Sequence, residues 1–68
     1  MFNVLRIGDK VRGTRKRKLM TQKQLANKSG VGVNTIIRIE RNQVEPQGRT
    51  IRKLAAALDV APSDLLED

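Results

Sequence analysis

Residues 20–41 read MTQKQLANKSGVGVNTIIRIER, two short periodic segments separated by a glycine-containing turn. Thr21 is followed three residues on by Gln24, the spacing of a capping box, so a helix is expected to begin just after Thr21. Met20, directly before the cap, is placed to act as a hydrophobic staple. Leu25 and Ala26 give the helix its apolar side, and Gly30 is expected to end it in a left-handed conformation. After Val31 and Gly32 the period resumes from Val33 to Arg41. Ile36 and Ile39 mark the inner face, and Asn42 is a candidate left-handed terminator. The link of three or four residues requires a steep crossing, and the small Ala26 lets the two backbones approach.

Working outward, Ile7, Val11 and Thr14 recur at i, i+4 and i+7 and predict a first helix, with Val4 and Leu5 extending its start and Lys18 near its end. Gly13 within it costs about 1 kcal/mol relative to Ala. Pro46 bars helix from the loop after Asn42. A fourth helix is expected from about Gln47 to Leu58 on Ile51, Leu54, Ala55 and Leu58. A fifth starts near Pro62, a favoured first helical residue, and carries Leu65 and Leu66. The chain therefore reads as an all-α, compact five-helix domain with contacts close in sequence. Its 68 residues are expected to form a single domain over 1–68, with no room for a second, ligand-sensing one.

Composition narrows the chemistry. There is no His and no Cys, which excludes thiolate and imidazole metal sites and disulfide staples. No cofactor is expected, and no enzymatic role: Ser29 and Ser63 lack an evident base, and the seven acidic residues show neither metal-loop spacing nor pairing. The longest apolar run, Leu54–Leu58, is far below the roughly 20 residues that cross a bilayer, so no membrane association and a cytoplasmic location are expected. Phe2 is the sole aromatic, so the stacking platforms of single-strand binders are missing. All 14 basic residues lie between Arg6 and Lys53 with only Asp9, Glu40 and Glu45 among them, whereas the last fifteen residues hold four acids and no base. That polarity fits one face built for a polyanion and another kept clear of it.

Two helices joined by so tight a turn define a helix-turn-helix, whose second helix is offered outward while its inner side is anchored. Here the chain resembles a known family. The segments IGDKVRGTRKRK, MTQKQLANKSGVGVNTIIRIERNQVEP and LAAALDVAPSDLL are similar to the helix-turn-helix domain of the Xre family, the Cro/cI-type, lambda-repressor-like fold, over about nine-tenths of the chain. The resemblance implies a sequence-specific double-stranded DNA-binding transcriptional regulator. It would act as a homodimeric repressor or dual regulator reading an inverted repeat through the major groove.

With Ile36 and Ile39 inward, Val33, Asn34, Ile37 and Arg38 project outward as candidate base contacts. Asn34 can pair with adenine, Arg38 can fork to guanine, and Val33 or Ile37 can meet thymine methyls. The competing readings are a cap-assisting Asn34 and a solvated or phosphate-bound Arg38. The resemblance implies that Gln22 donates to a phosphate at the start of helix two, where the free N–H groups favour an anion. It also implies backbone contacts for Thr35 and Arg41, with Gln43 and Arg49 as further phosphate candidates. Arg15 and Glu40 match a charged pair of the family that ties helix one to helix three; the bland reading is two unrelated surface charges.

The chain departs from the family pattern at Gly13 and Thr14, where Leu is common at the latter. Leu19 and Asn42 stand where Gly is frequent, Gly32 replaces a Ser or Thr cap, and Val33 and Ile37 stand where polar residues are common. Val60, Leu65 and Leu66, in the acidic C-terminal part, are the expected dimer interface, the alternative being that they close the core. A protein antagonist or RNA polymerase is a further candidate partner. An antitoxin-like protein-interaction module is the competing functional class, and RNA binding a third.

Overall fold

The computed structural model describes residues 7–66 as five helices with no strand: α1 (Ile7–Arg17), α2 (Gln22–Ser29), α3 (Val33–Glu40), α4 (Gly48–Leu58) and α5 (Pro62–Leu66). The expected extension through Val4 and Leu5 lies outside the described residues. Local chemistry sets most boundaries. Thr21 Oγ1 accepts from Gln24 N–H at 3.0 Å while Gln24 Oε1 accepts from Thr21 N–H at 2.8 Å, a complete capping box. Gly30, at φ 75°, ends α2 and donates its N–H to Ala26 O at 2.9 Å. Ser29 Oγ then accepts Val31 N–H at 3.1 Å and stiffens the turn. As expected, Gly32 caps α3 with no side-chain bond. Helix α4 begins one residue later than expected, with Gln47 as its N-cap.

Three helices end in the same device. Leu19, Asn42 and Asp59 all take left-handed φ of 58–59°, and the paired bonds of a Schellman motif close each end. These run from Leu19 and Met20 to Lys16 and Arg15, from Asn42 and Gln43 to Ile39 and Arg38, and from Asp59 and Val60 to Ala56 and Ala55. In two of them the residue after the left-handed one, Met20 or Val60, packs against the core.

The core gathers Val11, Leu25, Ile36, Ile39, Leu54, Ala55, Leu58 and Leu65, with Ile7 and Ala57 at its edge. Helix α3 packs on α1 and α2, α4 on α2 and α5, and α5 returns to α1, so the inner isoleucines of α3 are held from two sides. Burying each such side chain stabilises the fold by about 1.5–3 kcal/mol. Thr14 is also buried, and its Oγ1 accepts from Arg17 Nη2 at 3.1 Å, so the hydroxyl in this apolar position is not left unsatisfied.

A polar tie joins α1 to the end of α3. Gly8 N–H donates to Asn42 Oδ1 at 3.0 Å, and Asn42 Nδ2 donates to Asp9 Oδ1 at 3.1 Å. The approach is close enough that a Cβ on Gly8 would collide with Ile39 O and stand 2.5 Å from Asn42 Oδ1. Gly8→Ala is therefore expected to destabilise the domain by about 1–3 kcal/mol through overpacking, read as a lowered midpoint in urea. Leu19 is 90% exposed and contributes almost no packing, yet a left-handed non-glycine costs about 1–2 kcal/mol. Leu19→Gly should raise stability by about 0.5–1 kcal/mol after the entropy of glycine is subtracted, measurable as a higher Tm.

Candidate nucleic-acid interface

The site is assembled around one buried ion pair. Arg15 is 8% exposed and Glu40 6%, and their side chains meet fork to fork. Arg15 Nε donates to Glu40 Oε2 at 2.7 Å and Nη2 to Oε1 at 2.9 Å. Arg15 Nη1 donates to Met20 O at 2.8 Å, which ties the end of α1 into the same network. The pair raises the Arg15 pKa above its ordinary value, through the Glu40 hydrogen bond first and its charge last, against the opposing effect of burial. The guanidinium thus stays charged at any physiological pH. The pair is structural, not two unrelated surface charges.

Gln22, the first residue of α2, is half-buried, and its Nε2 donates to Glu40 Oε1 at 3.2 Å. Three helices therefore converge on one carboxylate at the last residue of α3. Beyond it, the outer side of α3 carries Val33, Asn34, Thr35 and Arg38, with Val33 37% exposed. Asn34 and Thr35 are exposed. Arg38 is exposed in the same way on the next turn, whereas Ile37 is half-buried and not fully outward, because three isoleucines among residues 36–39 cannot all avoid the core. The side chains of Asn34, Thr35 and Arg38 make no hydrogen bond among the described residues, so Asn34 takes no part in capping α3. Arg41, Gln43 and Arg49 are exposed.

One expected residue belongs elsewhere. Leu65 is 1% exposed and closes the core, which corrects its assignment to a dimer surface: its apolar area is already spent within its own chain. Val60 and Leu66 are half-buried against that core and retain some apolar surface. No sequence pattern assigns Arg12 to this region. Arg12 lies three residues before Arg15, hence on the same flank of α1. It lines an open recess with Arg15, Gln22, Glu40 and Arg41. Asn42 is the expected terminator of α3, but its side-chain bonds to α1 have no local signal.

A short helix anchored on its inner face and offered on its outer one, after a three-residue turn from a capped partner, defines a helix-turn-helix protein. The helix-turn-helix family model matches residues 11–65, and the chain belongs to that family, in its Xre, Cro/cI-type branch. One relative is the HTH-type transcriptional regulator SinR of Bacillus subtilis (strain 168), 36% identical over 63 residues, which make up 91% of this chain and 57% of SinR. The chain thus spans a little over half of that relative's length. Among solved structures, the restriction-modification controller protein C.AhdI from Aeromonas hydrophila superposes with a TM-score of 0.88 at 33% identity. The match covers 93% of this chain and 96% of that one. No helix among the described residues is long and apolar enough to cross a membrane.

The ion pair makes a sharp energetic prediction. Glu40→Ala leaves the Arg15 guanidinium buried without its carboxylate and should cost about 3–5 kcal/mol. Arg15→Met with Glu40→Met should cost less than that single change, since no uncompensated charge stays buried. Chemical denaturation of both variants and the wild type gives the comparison.

Proposed function

We propose that this chain is a sequence-specific double-stranded DNA-binding transcriptional regulator, a homodimeric repressor that reads an inverted repeat through the major groove. The observation that carries this reading is the outer side of α3. Its Asn34, Thr35 and Arg38 side chains are exposed and have no hydrogen-bond partner among the described residues, while the same helix is fixed by Ile36, Ile39 and the Arg15–Glu40 fork. A surface so rigidly held and so free of internal duties suits hydrogen bonding to a partner. The concentration of every basic residue before Leu54 suits that partner being a polyanion. A major groove about 12 Å wide admits one such helix.

In this reading Asn34 pairs with adenine and Arg38 forks to a guanine edge. Val33 and the exposed part of Ile37 pack on thymine methyls. Gln22, Thr35, Arg41, Gln43 and Arg49 hold phosphates and set the register. Two chains place their α3 helices about 34 Å apart on successive major grooves. The acidic C-terminal part carries the self-association through Val60 and Leu66, away from the phosphates. The protein acts in the cytoplasm with no catalytic step, by occluding a promoter or by contact with RNA polymerase, with a protein antagonist as a further candidate partner.

Selection of bound duplexes from a random pool, followed by sizing of the complex, tests the class of activity; no enrichment would overturn it in favour of a protein-interaction module. With about 6–10 phosphates neutralised per dimer, affinity should fall about 10³–10⁵-fold between 50 and 200 mM salt. Asn34→Ala should cost about 1–3 kcal/mol on the selected site and relax discrimination at one base pair, whereas Gln22→Ala should weaken selected and scrambled duplexes alike. Competition titrations by fluorescence anisotropy distinguish the two patterns.

A further inference from the structure

The turn between α1 and α2 meets the end of α4 across an open groove of about 500 Å3, and no residue of α3 lines it. Leu19, Met20 and Ala57 supply apolar lining, Lys18 and Lys28 are exposed cations on it, and Asp59 is the one acid among its lining residues. Leu19 is the anomaly. It is 90% exposed, the most of any large apolar side chain among the described residues, and it holds φ at 59°. Any side chain larger than that of glycine strains such a backbone, and the fold receives almost no packing from this one in return. Strain kept at an exposed side chain points to a contact made outside the fold. Met20, its neighbour, is only half-buried, so the two present adjoining apolar surface. The charge around them is one-sided: among the described residues neither Lys18 nor Lys28 has a carboxylate partner.

We propose that this groove docks a short acidic segment of a partner protein, whose apolar anchor covers Leu19 and Met20 while its carboxylates reach Lys18 and Lys28. Charge complementarity selects the occupant. Two unpaired cations against a single acid favour an anion, and the apolar lining beside them rewards one that carries a hydrocarbon side chain. No aromatic residue lines the groove to stack a nucleic-acid base. A second copy of this chain fits poorly, although its C-terminal part is acidic. Leu65 is 1% exposed within its own core, and Asp64 Oδ2 accepts from Ala61 N–H at 3.1 Å, so neither is free to enter. The inference goes beyond the DNA-binding reading and does not rest on it. Because α3 takes no part in the groove, the outer side of that helix stays uncovered when the segment is bound.

The test uses the full chain without DNA and a displayed library of random short peptides. Selection should enrich sequences in which a large apolar residue is flanked by Asp or Glu. The tightest of them, fluorescently labelled, is then titrated by anisotropy against variants of the chain. Leu19→Gly and Leu19→Asn both suit a left-handed backbone, so neither should lower Tm. Each should weaken the peptide about tenfold or more, the scale of one leucine side chain left unburied. Lys18→Glu combined with Lys28→Glu should weaken it about tenfold at low salt and less at high salt. Arg52→Glu, at an exposed residue of α4 outside the groove, should lose far less. Selection that yields no acidic consensus would overturn the proposal, as would an acidic peptide that binds both Leu19 variants as tightly as the wild type. Self-association through this face, seen as a mass that rises with concentration for the wild type and not for Leu19→Gly, would assign the groove to a second copy and overturn it as well.

Discussion

The fork between Arg15 and Glu40 is the constraint on which the rest of the molecule depends. It joins helices 25 residues apart in sequence, and it sits at the last residue of α3, where a short helix would otherwise fray. Its net contribution to stability is modest, because two charges taken out of water forfeit most of what their attraction returns. What it supplies is orientation. The guanidinium can meet both carboxylate oxygens in one plane only, so α3 cannot roll about its axis without breaking two bonds. Met20 O and Gln22 attach the end of α1 and the start of α2 to the same pair. The geometry between the two helices of the motif is thereby fixed at both ends, by the glycine turn on one side and by this network on the other.

A domain of this size has little core to spare, and its economies are visible at the helix ends. Each of three helices closes on a left-handed residue followed by paired backbone bonds, which satisfies carbonyls that would otherwise need water. Asn42 does more than terminate: its side-chain amide reaches Gly8 and Asp9, so one residue both stops α3 and moors α1 against it. Together with the Arg15–Glu40 fork, this gives α3 two polar moorings on α1 around an apolar centre of Val11, Ile36 and Ile39.

Features governed by neighbours along the chain are legible in the amino-acid sequence. Thr21 with Gln24, Gly30 and Pro62 each act within one turn of chain, and α2 and α5, which they bound, stand where the pattern places them. Features governed by distant neighbours are not legible in this way. The requirement for Gly8 arises from the Ile39 carbonyl, and nothing near Gly8 announces it. Asp59 adopts the same left-handed turn as Asn42 without the glycine or asparagine that usually marks one. Leu65 looks the same in sequence whether it faces a partner or its own core, and only the return of α5 onto α1 decides it. In the site, the inward and outward sides of α3 follow from Ile36 and Ile39, but Ile37 is ambiguous because its neighbours are equally apolar. The Arg15–Glu40 pair comes from family resemblance, since charges 25 positions apart carry no periodic signal.

The separation of duties within α3 has a consequence for how the molecule can change. Its inner residues carry the packing, whereas Asn34, Thr35 and Arg38 belong to neither the core nor any internal bond among the described residues. Replacement of such surface residues usually shifts stability by no more than about 0.5 kcal/mol. In the proposed reading, what this surface recognises and how firmly the scaffold holds together are therefore independent variables. A lineage carrying it can exchange one target for another through single codon changes, without first accumulating a reserve of stability to absorb them.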